Sequence, residues 1–73
     1  MGLQGWKQIS SQYLRAVRYN AIKQELEMSF KDGGYETYFG VPPNTFESFI
    51  TAANKDQYHQ NHILKHYPAM AHR

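Results

Sequence analysis

The sequence predicts an α+β fold, in which a three-stranded antiparallel meander is followed by two helices packed on one face (order β-β-β-α-α). Three observations support this prediction. Residues 24–30, QELEMSF, alternate polar and apolar side chains, as a half-buried strand does. Asp32-Gly33 follows, a pair typical of a tight hairpin turn. Beyond Pro42-Pro43, apolar residues recur at helical spacing.

Residues 1–23, which precede the strand predicted at 24–30, show weaker hydrophobic patterns. Residues 1–8 are expected to form an irregular arm, with Trp6 and Ile9 as its candidate anchors. The first strand is predicted near residues 13–19, where Leu14 and Val17 have strand-forming side chains. Residues 20–23 then look like a turn.

The third strand is predicted to begin at Tyr35 and is aromatic on both faces. Tyr35, Thr37 and Phe39 share one face, while Glu36 and Tyr38 share the other. A sheet with one solvated face does not require rings on both sides. The strand ends at Pro42, because proline donates no backbone hydrogen bond to a neighbouring strand.

Two helices are predicted after the prolines. The first carries Phe46, Phe49 and Ile50 on one side. The second is expected over residues 56–66 and ends before Pro68. Its expected core residues are Ile63, Leu64 and Tyr67.

Length and composition indicate one small, non-enzymatic domain over residues 9–68, with a frayed tail at 69–73. The chain has 73 residues and no cysteine, which excludes disulfides and zinc–thiolate sites. It contains no apolar run of about 18 residues, so no membrane span and a cytoplasmic location are expected. No nucleophile motif or phosphate-cradling glycine motif is present, and no cofactor is expected.

Charge is unevenly distributed along the sequence. Residues 1–23 contain four cationic side chains and no acid, whereas residues 24–56 contain two cations and six acids. Two further cations and four histidines follow in residues 57–73. If the first strand and the last helix lie together, they form a basic face that would attract phosphate.

This distribution leads to two hypotheses about binding. The first is RNA or other single-stranded nucleic acid, held by phosphate contacts and by ring stacking. The candidate residues are Arg15, Arg18, Lys23, Tyr35, Tyr38, Lys65 and His66. The alternative is a protein-interaction module, a phage or prophage accessory factor docking on a host protein, or a homodimer. It would use an exposed strand edge or the aromatic strand.

The histidines offer a weaker metal candidate. His59, His62 and His66 would share one side of a helix, and imidazoles so placed can bind a transition metal. No cysteine or His-Glu-x-x-His pattern accompanies them. A polar helix face explains the same spacing, so no metal site is predicted.

Several short motifs make the sequence resemble the KTSC domain, a module found at the C-terminus of some lysyl-tRNA synthetases and as small standalone bacterial and phage-type proteins. They are YFGVP at 38–42, FESFITA at 46–52 and HYP at 66–68. The resemblance implies an α+β fold with a central Tyr-x-Tyr motif. It implies no established activity, although RNA binding has been suggested for the family. Tyr38 matches the second tyrosine of the motif, and Glu36 replaces the first.

Overall fold

A computed structural model of the protein describes residues 5–72. Residues 1–4 of the predicted arm and residue 73 of the predicted tail lie outside this range. The strands are β1 (Lys7–Gln8), β2 (Leu14–Asn20), β3 (Glu25–Phe30), β4 (Tyr35–Phe39) and β5 (Ala69–His72). The helices are α1 (Pro43–Ile50) and α2 (Lys55–Tyr58), and α2 continues as a π-helical turn over His59–Ile63.

All five strands form one antiparallel sheet in the order β1-β2-β3-β4-β5. The prediction of a three-stranded meander was therefore wrong, although the fold is still α+β. The two additional strands are β1, within the expected irregular arm, and β5, within the expected frayed tail. Both gain their backbone hydrogen bonds by pairing with the outer strands of the predicted meander, a tertiary effect that local patterns do not report.

One face of the sheet forms the core. The strongest alternation in the sequence is confirmed, since Leu26 and Met28 of β3 are fully buried. Antiparallel register places Tyr38 of β4 beside Leu26, so the Tyr38 ring lies on the same buried face. The helical segments cover this face through Phe49 and Ile63.

The turn between β2 and β3 is stabilised by a side chain. Asn20 Oδ1 accepts hydrogen bonds from the backbone N–H groups of Ile22 (3.0 Å) and Lys23 (3.1 Å). Gln24 then adopts a left-handed backbone with φ 56°, and its carbonyl accepts from the N–H of Val41 at 2.9 Å. These bonds connect the turn to the entry of α1.

The second helical segment differs from the predicted regular helix over residues 56–66. Asn54 caps α2 by accepting from the N–H of Gln57 at 3.0 Å. In the π-helical turn that follows, His59 and Ile63 are buried, while Leu64 at its end is 49% exposed. Leu64 was expected in the core and lies outside it because it directly follows the buried Ile63, and consecutive helical residues point in directions roughly 100° apart.

Asp56 ties this helix to the chain entering β2. Its carboxylate accepts from Ser11 Oγ (2.6 Å) and from the backbone N–H groups of Gln12 (2.8 Å) and Tyr13 (3.1 Å). Burial alone would raise the pKa of Asp56, but these hydrogen bonds outweigh it and hold the pKa below its usual value. Within residues 5–72, no helix is long and apolar enough to cross a membrane.

Candidate nucleic-acid interface

The face of the sheet opposite the helices, here called the open face, carries a line of three rings from three strands or their flanks. Trp6, just before β1, contacts Tyr35 of β4 edge to face, with ring centroids 5.8 Å apart. Tyr35 stacks on His72 of β5 with centroids 4.3 Å apart and planes 14° from parallel. Each ring therefore fixes the orientation of the next.

A row of polar side chains crosses the same face beside the rings. Arg18 of β2 forms a salt bridge with Glu27 of β3. Thr37 Oγ1 of β4 donates to the other oxygen of Glu27 at 2.8 Å and lies 3.1 Å from Nε2 of His72. Since the single hydroxyl proton of Thr37 goes to the carboxylate, His72 must donate its Nε2–H to Thr37. The neutral His72 ring then has its lone pair on Nδ1.

The two rows meet at Arg18, whose guanidinium carbon lies 4.4 Å from the centroid of the Trp6 ring. This is within the range of a cation–π interaction. Arg18 is held by Glu27 and by Trp6 together, so its position is well defined. Its charge is largely neutralised by Glu27.

Arg15 supplies a second guanidinium at this end of the open face and is itself exposed. It lines a cavity of about 470 Å³ together with Trp6, Arg18, Tyr35 and the small residue Ser29. Trp6 is 41% exposed. The cavity thus combines aromatic walls, a small side chain and two guanidinium groups, which suits a flat ring bearing negative charge nearby.

The structure brings together three of the seven residues predicted for nucleic-acid binding: Arg15, Arg18 and Tyr35. Tyr38 is completely buried, so its ring is not available for stacking on a base. Its burial follows from its register with Leu26, which the two-sided aromatic pattern of β4 did not reveal.

The other three predicted residues lie away from the cavity. Lys23 is exposed in the β2–β3 turn, at one end of the sheet. Lys65 is on the helix side, where it lines a different cavity with Tyr13. His66 is exposed beyond the π-helical turn. The expected basic face made by the first strand and the last helix is therefore divided between opposite sides of the molecule.

The hydroxyl of Tyr38 forms hydrogen bonds inside the protein and is not available to a ligand. Its hydroxyl donates to Glu36 Oε1, since a carboxylate can only accept, and lies 2.7 Å from Nε2 of His59. His59 therefore donates its Nε2–H to Tyr38. Burial, reinforced by Glu36, raises the pKa of Tyr38 well above the usual value. Burial also lowers the pKa of His59, although the negative charges of Glu36 and Asp56 act in the opposite direction and raise it.

The three histidines predicted to share one side of a helix, His59, His62 and His66, do not form a metal centre in the part of the chain that the structure describes. His59 is buried against Tyr38, whereas His62 and His66 are exposed. His62 packs on the ring of Tyr58, with centroids 4.7 Å apart. No cluster of three His, Cys, Asp or Glu side chains suited to a metal occurs within residues 5–72.

Two members of the open face were not among the predicted site residues: Trp6 and His72. Trp6 precedes a strand of only two residues, too short to show a period. His72 follows Pro68 in a segment with few strand-forming side chains. Trp6 and Gln8 are two residues apart and line the same cavity, but one such pair in the sequence does not indicate a strand.

Comparison with known proteins agrees with this architecture. The family model described as the KTSC domain matches residues 10–67. The crystal structure of a KTSC domain protein from Yersinia pestis superposes with a TM-score of 0.88, covering 94% of this chain and 96% of that chain at 23% sequence identity. No curated protein matches the sequence significantly. The resemblance seen in the sequence motifs is thus confirmed, and the chain belongs to the KTSC domain family.

Proposed function

We propose that the protein is a small binding module that holds single-stranded nucleic acid, RNA in the first instance, on the open face of its sheet. The observation that carries this proposal is the juxtaposition of Trp6 with Arg15 and Arg18 beside a cavity of about 470 Å³. Exposed rings flanked by cations are what unpaired bases and their phosphates require.

Trp6 is the principal stacking platform in this proposal. Arg18 covers one face of its indole, and Tyr35 contacts it edge to face, so the exposed part of the ring is where a base would stack. Tyr35 is already flanked by His72 and Trp6. It supports the platform, and a second base would extend the stack at His72.

Arg15 is the main phosphate contact. Arg18 is paired with Glu27, which reduces the charge that it can offer to a ligand. With about two phosphate contacts, the affinity for a single strand should fall about sevenfold between 50 and 200 mM salt. We therefore expect modest affinity that depends measurably on salt.

The test is a titration of fluorescently labelled octauridine with the purified protein, followed by anisotropy. Arg15→Glu should weaken binding at least tenfold, because it replaces the phosphate contact with a repelling charge. Trp6→Ala should weaken it by about 1–3 kcal/mol, the range for loss of one stacked base.

Lys65→Glu is the matched control. It changes the net charge as Arg15→Glu does, but Lys65 lies on the helix side. The affinity of this variant for octauridine should remain within about twofold of that of the parent protein, because salt screens the repulsion between a distant charge and the phosphates. Equal losses in Arg15→Glu and Lys65→Glu would mean that binding is non-specific charge attraction, and the assignment of the site would be rejected.

A protein partner is a second candidate function, favoured by the position of β5. This strand lies at the edge of the sheet, and Met70 on it is 56% exposed. An edge strand presents unpaired backbone groups to which another strand can add. Binding that strengthens with salt and involves β5, without loss in Arg15→Glu, would favour this candidate.

A further inference from the structure

The helix side of the molecule carries a cavity of about 300 Å³ that the proposed nucleic-acid function does not use. This volume is at the lower end of the range for small-molecule sites. Apolar side chains from three parts of the chain line it: Tyr13 and Leu14 where β2 begins, Phe30 at the end of β3, and Leu64 after the π-helical turn. Leu14 is buried, whereas Tyr13 and Leu64 are about half exposed. The cavity therefore offers apolar walls to a ligand.

His59 supplies a polar atom to these apolar walls. The residue is only 8% exposed and lines the cavity beside Phe30, with the two ring centroids 6.1 Å apart. Nε2 of His59 carries the proton that is donated to Tyr38, because the hydroxyl proton of Tyr38 goes to Glu36. Nδ1 of the neutral ring is therefore a hydrogen-bond acceptor.

This acceptor, Nδ1 of His59, has no hydrogen-bond partner among residues 5–72. No side-chain nitrogen or oxygen in that range is both fully buried and without a partner, so Nδ1 reaches a surface of the protein. The cavities lined by His59 are that surface, since the rest of the ring is enclosed. Burial lowers the pKa of His59, so the ring is neutral at pH 7 and Nδ1 keeps its lone pair. An N–H or O–H group of a ligand would satisfy it.

The charges around the cavity do not favour an ion. Asp56 and Lys65 both line it, and Asp56 stays charged because its pKa is lowered. An anion would meet Asp56 and also the acids Asp32 and Glu36, which line a neighbouring cavity that His59 borders as well. A cation would meet Lys65. An uncharged ligand avoids both repulsions.

We propose that this cavity binds a small, uncharged aromatic molecule that donates one N–H or O–H hydrogen bond to Nδ1 of His59. The ring of the ligand packs on Phe30 and Leu64, and burial of its apolar surface supplies most of the affinity. The hydrogen bond to His59 fixes its orientation. Binding here is independent of nucleic-acid binding at the open face, because the two sites share no lining residue.

The probe for this proposal is indole, titrated into the isotope-labelled full chain and followed by heteronuclear NMR. N-methylindole is the matched ligand, since it has the same fused ring but no N–H. Methyl signals of Leu64 and ring signals of Phe30 should shift and saturate with indole. N-methylindole should bind about fivefold more weakly, the loss expected for one hydrogen bond, although its methyl group adds apolar surface. Equal affinities of the two compounds, or no saturable shift at millimolar indole, would overturn the proposal.

His59→Gln tests whether Nδ1 is the acceptor. Glutamine can still place an N–H near the hydroxyl of Tyr38, but it has no acceptor at the position of Nδ1. The variant should therefore bind indole and N-methylindole with affinities within about twofold of each other. His62→Gln is the matched control, since His62 is exposed and lines neither of the two cavities. It should keep the preference of the parent protein for indole. A preference of the same size in His59→Gln would place the acceptor elsewhere and reject the assignment to His59.

Discussion

The buried hydroxyl of Tyr38 links two ionisable side chains, the half-buried Glu36 and the buried His59. Tyr38→Phe keeps the ring packing but leaves both groups without this partner. The free energy of unfolding should fall by about 1–3 kcal/mol, the range for a buried polar group left unsatisfied. Urea unfolding followed by circular dichroism measures it. Tyr35→Phe, with no hydroxyl hydrogen bond among the described residues, is the control and should change stability by less than about 0.5 kcal/mol.

His59 should make stability depend on mildly acidic pH. Its folded-state pKa is lowered from the ordinary 6.5, mainly by burial. The unfolded chain therefore takes up a proton before the folded chain does, and stability falls as pH decreases from about 6.5 through the folded pKa. Unfolding free energies at pH 7.5, 6.0 and 5.0 should show this decline, and His59→Gln should reduce it. An unchanged slope in His59→Gln, or an equal reduction in the exposed-site control His62→Gln, would contradict the assignment.

Tyr35 and Tyr38 lie on opposite faces of β4, and the sequence alone does not show which of them is buried. Both tyrosines lie in a strand with rings on each face, and the sequence predicted both as stacking residues. Pairing with β3 separates them: Tyr38 lies beside buried Leu26, while Tyr35 lies beside Ser29 on the open face. The alternation in β3 identified the buried face of that strand. The face on which Tyr38 lies depends on the register between β4 and β3, which no local pattern specifies.

Asp56 supplies three of the hydrogen bonds that attach the helical segment after α1 to the chain entering β2. Asp56→Ala removes three hydrogen bonds to residues 11–13 and the acid in the first turn of α2. We expect a loss of about 1–2 kcal/mol in unfolding free energy, since these bonds are only partly buried. Glu47→Ala, at an exposed position of α1, should change it by less than about 0.5 kcal/mol.

Asp56 should also make stability depend on pH, in a window that begins near its ordinary pKa of 3.8 and not near the 6.5 of histidine. Its folded pKa lies below the ordinary 3.8, so its contribution is present above that value. The contribution is lost as pH falls through the lowered folded pKa. Acid unfolding curves of the parent protein and Asp56→Ala should therefore converge as pH falls below the ordinary value of 3.8 and through the lowered folded pKa. Curves that stay equally far apart at every pH would contradict this role.

Strand β5 should be held to the sheet by the hydrogen bonds of Thr37 as well as by backbone pairing. Thr37→Val removes the bonds to Glu27 and His72 at a position that is only 4% exposed. Amide exchange of residues 69–72 should accelerate about tenfold, the change expected for a local loss of about 1.4 kcal/mol. Thr45→Val, which loses only a long contact to Tyr67, is the control and should leave β5 protected. Unchanged exchange in Thr37→Val would show that Thr37 does not hold β5.

Elements with strong local periodicity were predicted from the sequence, and the edge strands were not. β3 and α1 occupy the predicted segments because their apolar spacing reflects burial of one face. β1 has two residues and β5 has four, and neither contains enough strand-forming side chains to show a period. Their existence depends on the unpaired edges of β2 and β4, which are created only when the sheet assembles.

The sheet side and the helix side of the molecule have surfaces of different charge and composition. The sheet side places rings beside Arg15 and Arg18, while the helix side places Asp32 and Glu36 beside a cavity of about 240 Å³. The charge blocks of the sequence predicted an uneven distribution but not this division, because Lys65 lies on the helix side and the acidic Glu27 lies on the open face. A nucleic-acid strand should therefore engage only the sheet side.

Trp6 allows the central claim to be tested directly, because it is the only tryptophan in the chain and lies within the proposed site. The measurement is its intrinsic fluorescence during titration with unlabelled octauridine at 50 and 200 mM salt. Stacking of a base on Trp6 predicts saturable quenching, with an affinity about sevenfold lower at the higher salt. Constant Trp6 fluorescence at 50 mM salt, while binding is detected by another method, would place the ligand elsewhere and contradict the proposed open-face site.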